Sequence, residues 1–148
     1  MSTAIETSKR RASDRVAEAV LKAEILLLLW TVTPCVRLLG FFPTARLCKA
    51  VANRLDRSPL PGLNDGAPID FCRLVETQSA SPLALPTHCM AQSIALQFVL
   101  EQHGHPSEIK LGVQNLIGGL RAHAWVEASG EELATTPVGQ QYVPFTSA

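Results

Sequence analysis

The stretch His88-Cys89-Met90-Ala91-Gln92-Ser93-Ile94-Ala95-Leu96-Gln97-Phe98-Val99-Leu100-Glu101-Gln102-His103-Gly104-His105-Pro106, running on into Ser107-Glu108-Ile109-Lys110-Leu111-Gly112-Val113, decides the fold class. From about His88 to His103 it reads as a helix. Thr87 is the candidate cap, and Ile94, Leu96, Phe98, Val99 and Leu100 supply the apolar faces. Gly104 and Pro106 stop it. Beyond the stop the period changes to two: Ile109, Leu111 and Val113 alternate with Lys110 and Gly112, as in a half-buried strand.

Downstream, Leu116 to Gly119 is a glycine turn, and Leu120 to Ala128 alternates again. Ala122, Ala124 and Val126 then share one face, with His123, Trp125 and Glu127 on the other, the face from which the imidazole is expected to meet the helix. Ser129-Gly130 reads as the next turn, and Glu132 to Thr136 as a third strand. Upstream the pattern is helical. Ser13 caps a helix whose positions Val16, Val20, Ala23, Leu27 and Trp30 predict one buried face, ended or kinked at Pro34. Further helices are expected over 43–55, carrying Ala45, Leu47, Cys48, Val51 and Leu55, and over 69–78. Helices followed by strands make the class α+β. The organisation expected is a disordered tail (1–12), an N-terminal helical part (13–56), a Pro/Gly linker (57–68) and a core (69–148).

The chain has 148 residues, enough for one core; 47% are apolar and 18% charged, which argues against disorder over most of the length. Thirteen basic and thirteen acidic residues balance, removing the electrostatic case for a nucleic-acid or anionic-membrane partner as the main function. Cys35, Cys48, Cys72 and Cys89 have no zinc-like spacing, and the first three sit among apolar neighbours, as buried thiols of a reducing compartment do. The apolar run 25–36 is shorter than a bilayer needs, and acidic residues break the approach to it, so neither a transmembrane segment nor a signal peptide is expected and the location is cytoplasmic. No Gly-rich phosphate loop ends in Lys-Ser or Lys-Thr, and no cofactor is expected from the residues.

Cys89 opens a helix, where the dipole and free amides favour thiolate. The Met90 amide is a candidate oxyanion donor. A strand histidine, His123, supplies the general base and acid such a thiol requires, and Trp125 beside it is a candidate substrate contact. His88 adjoins Cys89 but points elsewhere on the helix; His103 and His105 read as end-of-helix residues.

Cys89-Met90-Ala91-Gln92-Ser93-Ile94-Ala95-Leu96, His103-Gly104-His105-Pro106, Lys110-Leu111-Gly112-Val113 and Ala122-His123-Ala124-Trp125-Val126-Glu127 together resemble the leader peptidase of lasso-peptide biosynthesis, a small transglutaminase-like cysteine protease. The likeness runs from about Ile69 to Phe145. It implies a papain/transglutaminase-like core, with the Cys helix packed on a small antiparallel sheet carrying the His. It further implies removal of a leader from a ribosomal precursor through a Cys89 thioester. The partners implied are the precursor leader, a PqqD-like leader-binding protein and a lasso cyclase. Related systems have been linked to ATP use. The family's orienting Asp falls here at Thr135, with Glu127, Glu131 and Glu132 as possible substitutes. A transamidating acyl transferase and a non-catalytic peptide-binding module of the same fold are the alternatives.

Overall fold

Helix α4 (Cys89–Gln102) buries ten of its residues, from Ala91 to Gln102, around its whole circumference. A helix apolar on all sides lies at the centre of a fold, and the rest of the chain wraps this one. A computed structural model describes residues 2–55, 67–85, 88–133 and 143–147. Around α4 lie helices α1 (Ser2–Leu39), α2 (Phe41–Arg54) and α3 (Pro68–Ser79), and strands β1 (Ser107–Leu116), β2 (Gly119–Ala128), β3 (Glu131–Leu133) and β4 (Val143–Ser147). The strands form one antiparallel sheet in the order β3-β2-β1-β4. The α+β expectation holds.

One apolar cluster joins all four helices to the sheet: Leu21, Ile25 and Leu29 from α1, Phe41 and Ala45 from α2, Phe71 and Val75 from α3, and Ile109, Leu111, Ala124 and Val126 from the strands. The N-terminal helices therefore share the core of the sheet. Most of the expected linker, residues 56–66, lies outside the described residues.

Several helical expectations change. The tail expected to be disordered is helical from Ser2, since Ala, Glu, Lys and Arg favour helix and neither Gly nor Pro interrupts them. Pro34 lies inside α1 rather than ending it. It forfeits one backbone donor, but Leu29 and Val32 before it and Val36 after it all reach the core, and that packing carries the helix across. The helix stops at Gly40, whose φ of 88° few other residues adopt.

The buried face of α1 is also not the one expected. Ala17, Leu21, Ile25, Leu29 and Val32 are at most 7% exposed, whereas Val16, Leu27 and Trp30 are more than half exposed. Both stripes recur at helical spacing, so periodicity could not choose between them. On α2, Leu47 and Leu55 likewise face solvent, while Phe41, Thr44, Ala45 and Ala52 are buried.

The expected β1 and β2 are present and longer, and their register runs unbroken from Ser107↔Ala128 to Leu116↔Gly119. Ser129 and Gly130 both take positive φ (55° and 78°), the two-residue hairpin loop whose twist matches its strands. β4, which the sequence pattern did not signal, pairs with β1.

The α4–β1 corner is pinned by Ser107. Its N–H donates to Glu101 Oε1 at 2.9 Å, and its carbonyl accepts from Gln97 Nε2 at 3.1 Å and Lys49 Nζ at 3.2 Å. Replacing Glu101 by Ala strands that partly buried N–H, and urea denaturation should show a loss of about 1–3 kcal/mol.

Candidate active site

The α4 ladder begins where Gln92 N–H donates to His88 C=O at 3.1 Å. The amides of Cys89, Met90 and Ala91 precede that bond and are not used by the helix. The cap residue is His88, not Thr87, which lies outside the described residues; the exposed His88 side chain makes no capping bond. Cys89 thus sits at the first helical position, partly buried against the core, its thiol unbridged. Donors and thiol share one turn.

Position along the molecule follows from the Ser107 corner. Thirteen residue steps back along α4, from Gln102 to Cys89, cover about 20 Å at the helical rise. Six steps along β1 cover about 20 Å and reach Val113. Val113 pairs with Ala122, and Gly112 with His123. Counted along their elements, Cys89 and the residues that pair with His123 and Ala122 thus lie at similar path lengths, about 20 Å, from the Ser107 corner.

The faces differ from expectation. Ala124, Val126 and Ala128 enter the cluster that contains α4, so that row meets the helix. His123 and Trp125 alternate onto the reverse face, where their rings stack at 6.3 Å with 15° between planes. Small side chains win the helix side because they let a central helix approach the strand closely. Both rings are nonetheless buried, 8% and 6% exposed. Among the described residues β3 pairs with β2 only from Val126 to Ala128, so at His123 the outer edge of β2 is not covered by β3.

Burial lowers the His123 pKa from its ordinary 6.5 and keeps the ring neutral, the form a general base requires. The proton balance has a definite sign. The unfolded chain takes up a proton near pH 6.5 and the folded one only below it, so this group erodes stability as pH falls through that range. Thermal melts should show a drop on acidification below 6.5 that His123→Phe flattens.

The proposed carboxylate substitutes do not reach the imidazole. Glu127 is four strand residues from His123, about 13 Å, and its carboxylate lies 4.0 Å from Lys110 Nζ. Glu132 pairs with Glu127 and Glu131 with Ala128, level with or beyond it. Thr135 lies outside the described residues.

His103 Nδ1–H donates to Val99 C=O at 2.8 Å, and the ring packs with His105 on Phe71, tying α3 to the end of α4. Both are structural. Cys72, on α3, has its pKa raised to about 11 by burial and then by Glu76, which makes it a poor nucleophile.

Sequence reasoning passed over Gly112. A Cβ there would lie 2.8 Å from Trp125 Cη2, 2.9 Å from Cζ3 and 2.9 Å from the Val143 carbonyl. The indole that stacks on His123 rests in the space this glycine leaves. A glycine inside a strand is the available signal for such a close approach.

A family model for the transglutaminase-like superfamily matches residues 28–147. The chain belongs to that superfamily. The match begins inside α1, at Leu28, and takes in α2 and α3 as well as α4 and the sheet. Transglutaminase-like proteins are usually Cys-His enzymes, and cysteine protease or transamidase chemistry is the activity class that membership carries. No curated protein and no solved structure matches the chain.

Proposed function

We propose that this transglutaminase-like protein is a cysteine peptidase that cuts the leader from a ribosomally made lasso-peptide precursor. What supports the reading is Cys89 at the first position of α4, with its free amides, together with a buried His123 on β2 in a transglutaminase-like domain. His123 takes the thiol proton, the thiolate attacks the scissile carbonyl, and the Met90 amide donates to the oxyanion. The histidine then protonates the leaving amine, and water hydrolyses the Cys89 thioester to a free leader acid. Trp125 keeps the imidazole in place. A PqqD-like protein presents the leader, a cyclase consumes the freed amine, and the reaction is cytoplasmic.

The reading requires the imidazole to reach the thiol around the outer edge of β2. Its geometric test is His123→Cys in a background where Cys35, Cys48 and Cys72 are Ala. Disulfide formation with Cys89 needs Cα atoms within about 7 Å; failure to oxidise sinks the pairing. Its chemical test is mass spectrometry of precursor incubated with enzyme and leader-binding protein. A free leader acid supports hydrolysis, a joined peptide moves the assignment to transamidation, and no product in either form leaves a binding module. Thr135→Asp should raise turnover if that position holds the ring, because a carboxylate stabilises imidazolium and a hydroxyl does not. An unchanged rate assigns that role elsewhere.

A further inference from the structure

The exposed stripe of α1 is long, apolar and free of charge. Val16, Val20, Ala23, Leu27, Trp30, Pro34 and Leu38 fall on one face of the helix, and Val16, Leu27 and Leu38 are 64%, 67% and 83% exposed. It spans 22 residue steps, about 33 Å at the helical rise. The stretch Ala12–Leu39 is long and apolar enough to cross a membrane by length and composition, contrary to the shorter run read from the sequence, yet only 28% of its apolar window is buried. The opposite face of the same helix is locked in place: Leu21, Ile25 and Leu29 have no exposure at all and belong to the common core. For this helix to span a bilayer those core contacts would have to break.

Charge selects the occupant. From Ile25 to Leu55 the chain carries Arg37, Arg46, Lys49 and Arg54 and no acidic residue, although the whole chain is neutral. Arg37, Arg46 and Arg54 are exposed. Trp30, half exposed, has its indole N–H bound to the Leu83 carbonyl at 2.8 Å, which fixes the ring at the surface. Asp14, Glu18 and Glu24 lie along the first half of the stripe, with Arg15 and Lys22 beside them, so the basic excess belongs to its C-terminal half and to α2. An apolar helical face with a tryptophan and a basic C-terminal half complements an anionic lipid interface. We propose that α1 lies along the surface of an anionic membrane through this stripe, holding the folded domain there as a peripheral protein.

Sedimentation of the full chain with vesicles tests this. Equal parts phosphatidylglycerol and phosphatidylcholine should bind it roughly tenfold more tightly than phosphatidylcholine alone, with binding falling as salt rises. Val20→Glu with Leu27→Glu changes exposed positions only, so circular dichroism should be unaltered while vesicle binding falls at least roughly tenfold. Equal binding of variant and parent overturns the proposal. So does binding that resists carbonate extraction, which means insertion. Absence of vesicle binding together with a dimer, or a complex with the leader-binding protein, that the double variant dissolves assigns the stripe to protein instead.

Discussion

Cys89→Ala, His123→Ala and the double variant should all lower turnover by the same factor, about ten-thousandfold or more, because the two groups act as one unit. The thiolate makes the acyl bond and the imidazole moves its proton in both directions, so either loss removes the covalent route and the second loss adds nothing. Precursor cleavage followed by mass spectrometry gives the rates. If the single effects multiplied instead of coinciding, thiol and imidazole would be serving separate steps and the pairing would fall. Residual activity in Cys89→Ala close to the parent would end the covalent mechanism altogether. The acid limb of kcat/KM carries a companion signature: burial holds His123 neutral below its ordinary 6.5, so the limb should lie on the acid side of that value.

Gly112→Ala should be the most damaging single methyl in the chain. Its new carbon would meet the Trp125 ring at 2.8 and 2.9 Å and the Val143 carbonyl at 2.9 Å, and a strand backbone yields less readily than a surface side chain. Overpacking of this kind costs about 1–3 kcal/mol. The ring would be pushed off the stack it makes with His123, so an effect on activity should accompany the effect on stability. Pairing Gly112→Ala with Trp125→Leu separates the causes. If the indole is the obstacle, the double variant recovers stability relative to the sum of the singles, and the His123 pKa, followed by NMR, moves in both variants carrying Trp125→Leu. If the β4 carbonyl is the obstacle, nothing is recovered.

Much of this architecture is legible along the chain. The change of period at Gly104-His105-Pro106 separates helices from strands, and the turn residues Gly118, Gly119, Ser129 and Gly130 place the hairpins within a residue or two. Cys89 and His123 stand out because a thiol at a helix start and a histidine in an alternating strand are local facts. Which faces are buried is not local. α1 offers two apolar stripes of equal spacing, and α2 offers Leu47 and Leu55 as readily as Ala45 and Ala52; the neighbours that cover one set and not the other come from distant parts of the chain. The strand histidine shows the same limit. Alternation states that His123 and Ala124 point opposite ways, but not which way the helix lies.

Local pattern alone thus determined the succession of elements from α1 to β3 and the approximate ends of most of them, and it singled out Cys89 and His123 as candidates for acyl-transfer chemistry, because backbone preference and period act over a few residues. Only the tertiary structure decided that Pro34 stays inside a helix, that Ala124 and Val126 rather than His123 meet α4, and that Gly112 makes room for Trp125. Those outcomes depend on packing between segments far apart in the chain, where the larger buried area outweighs any one residue's preference.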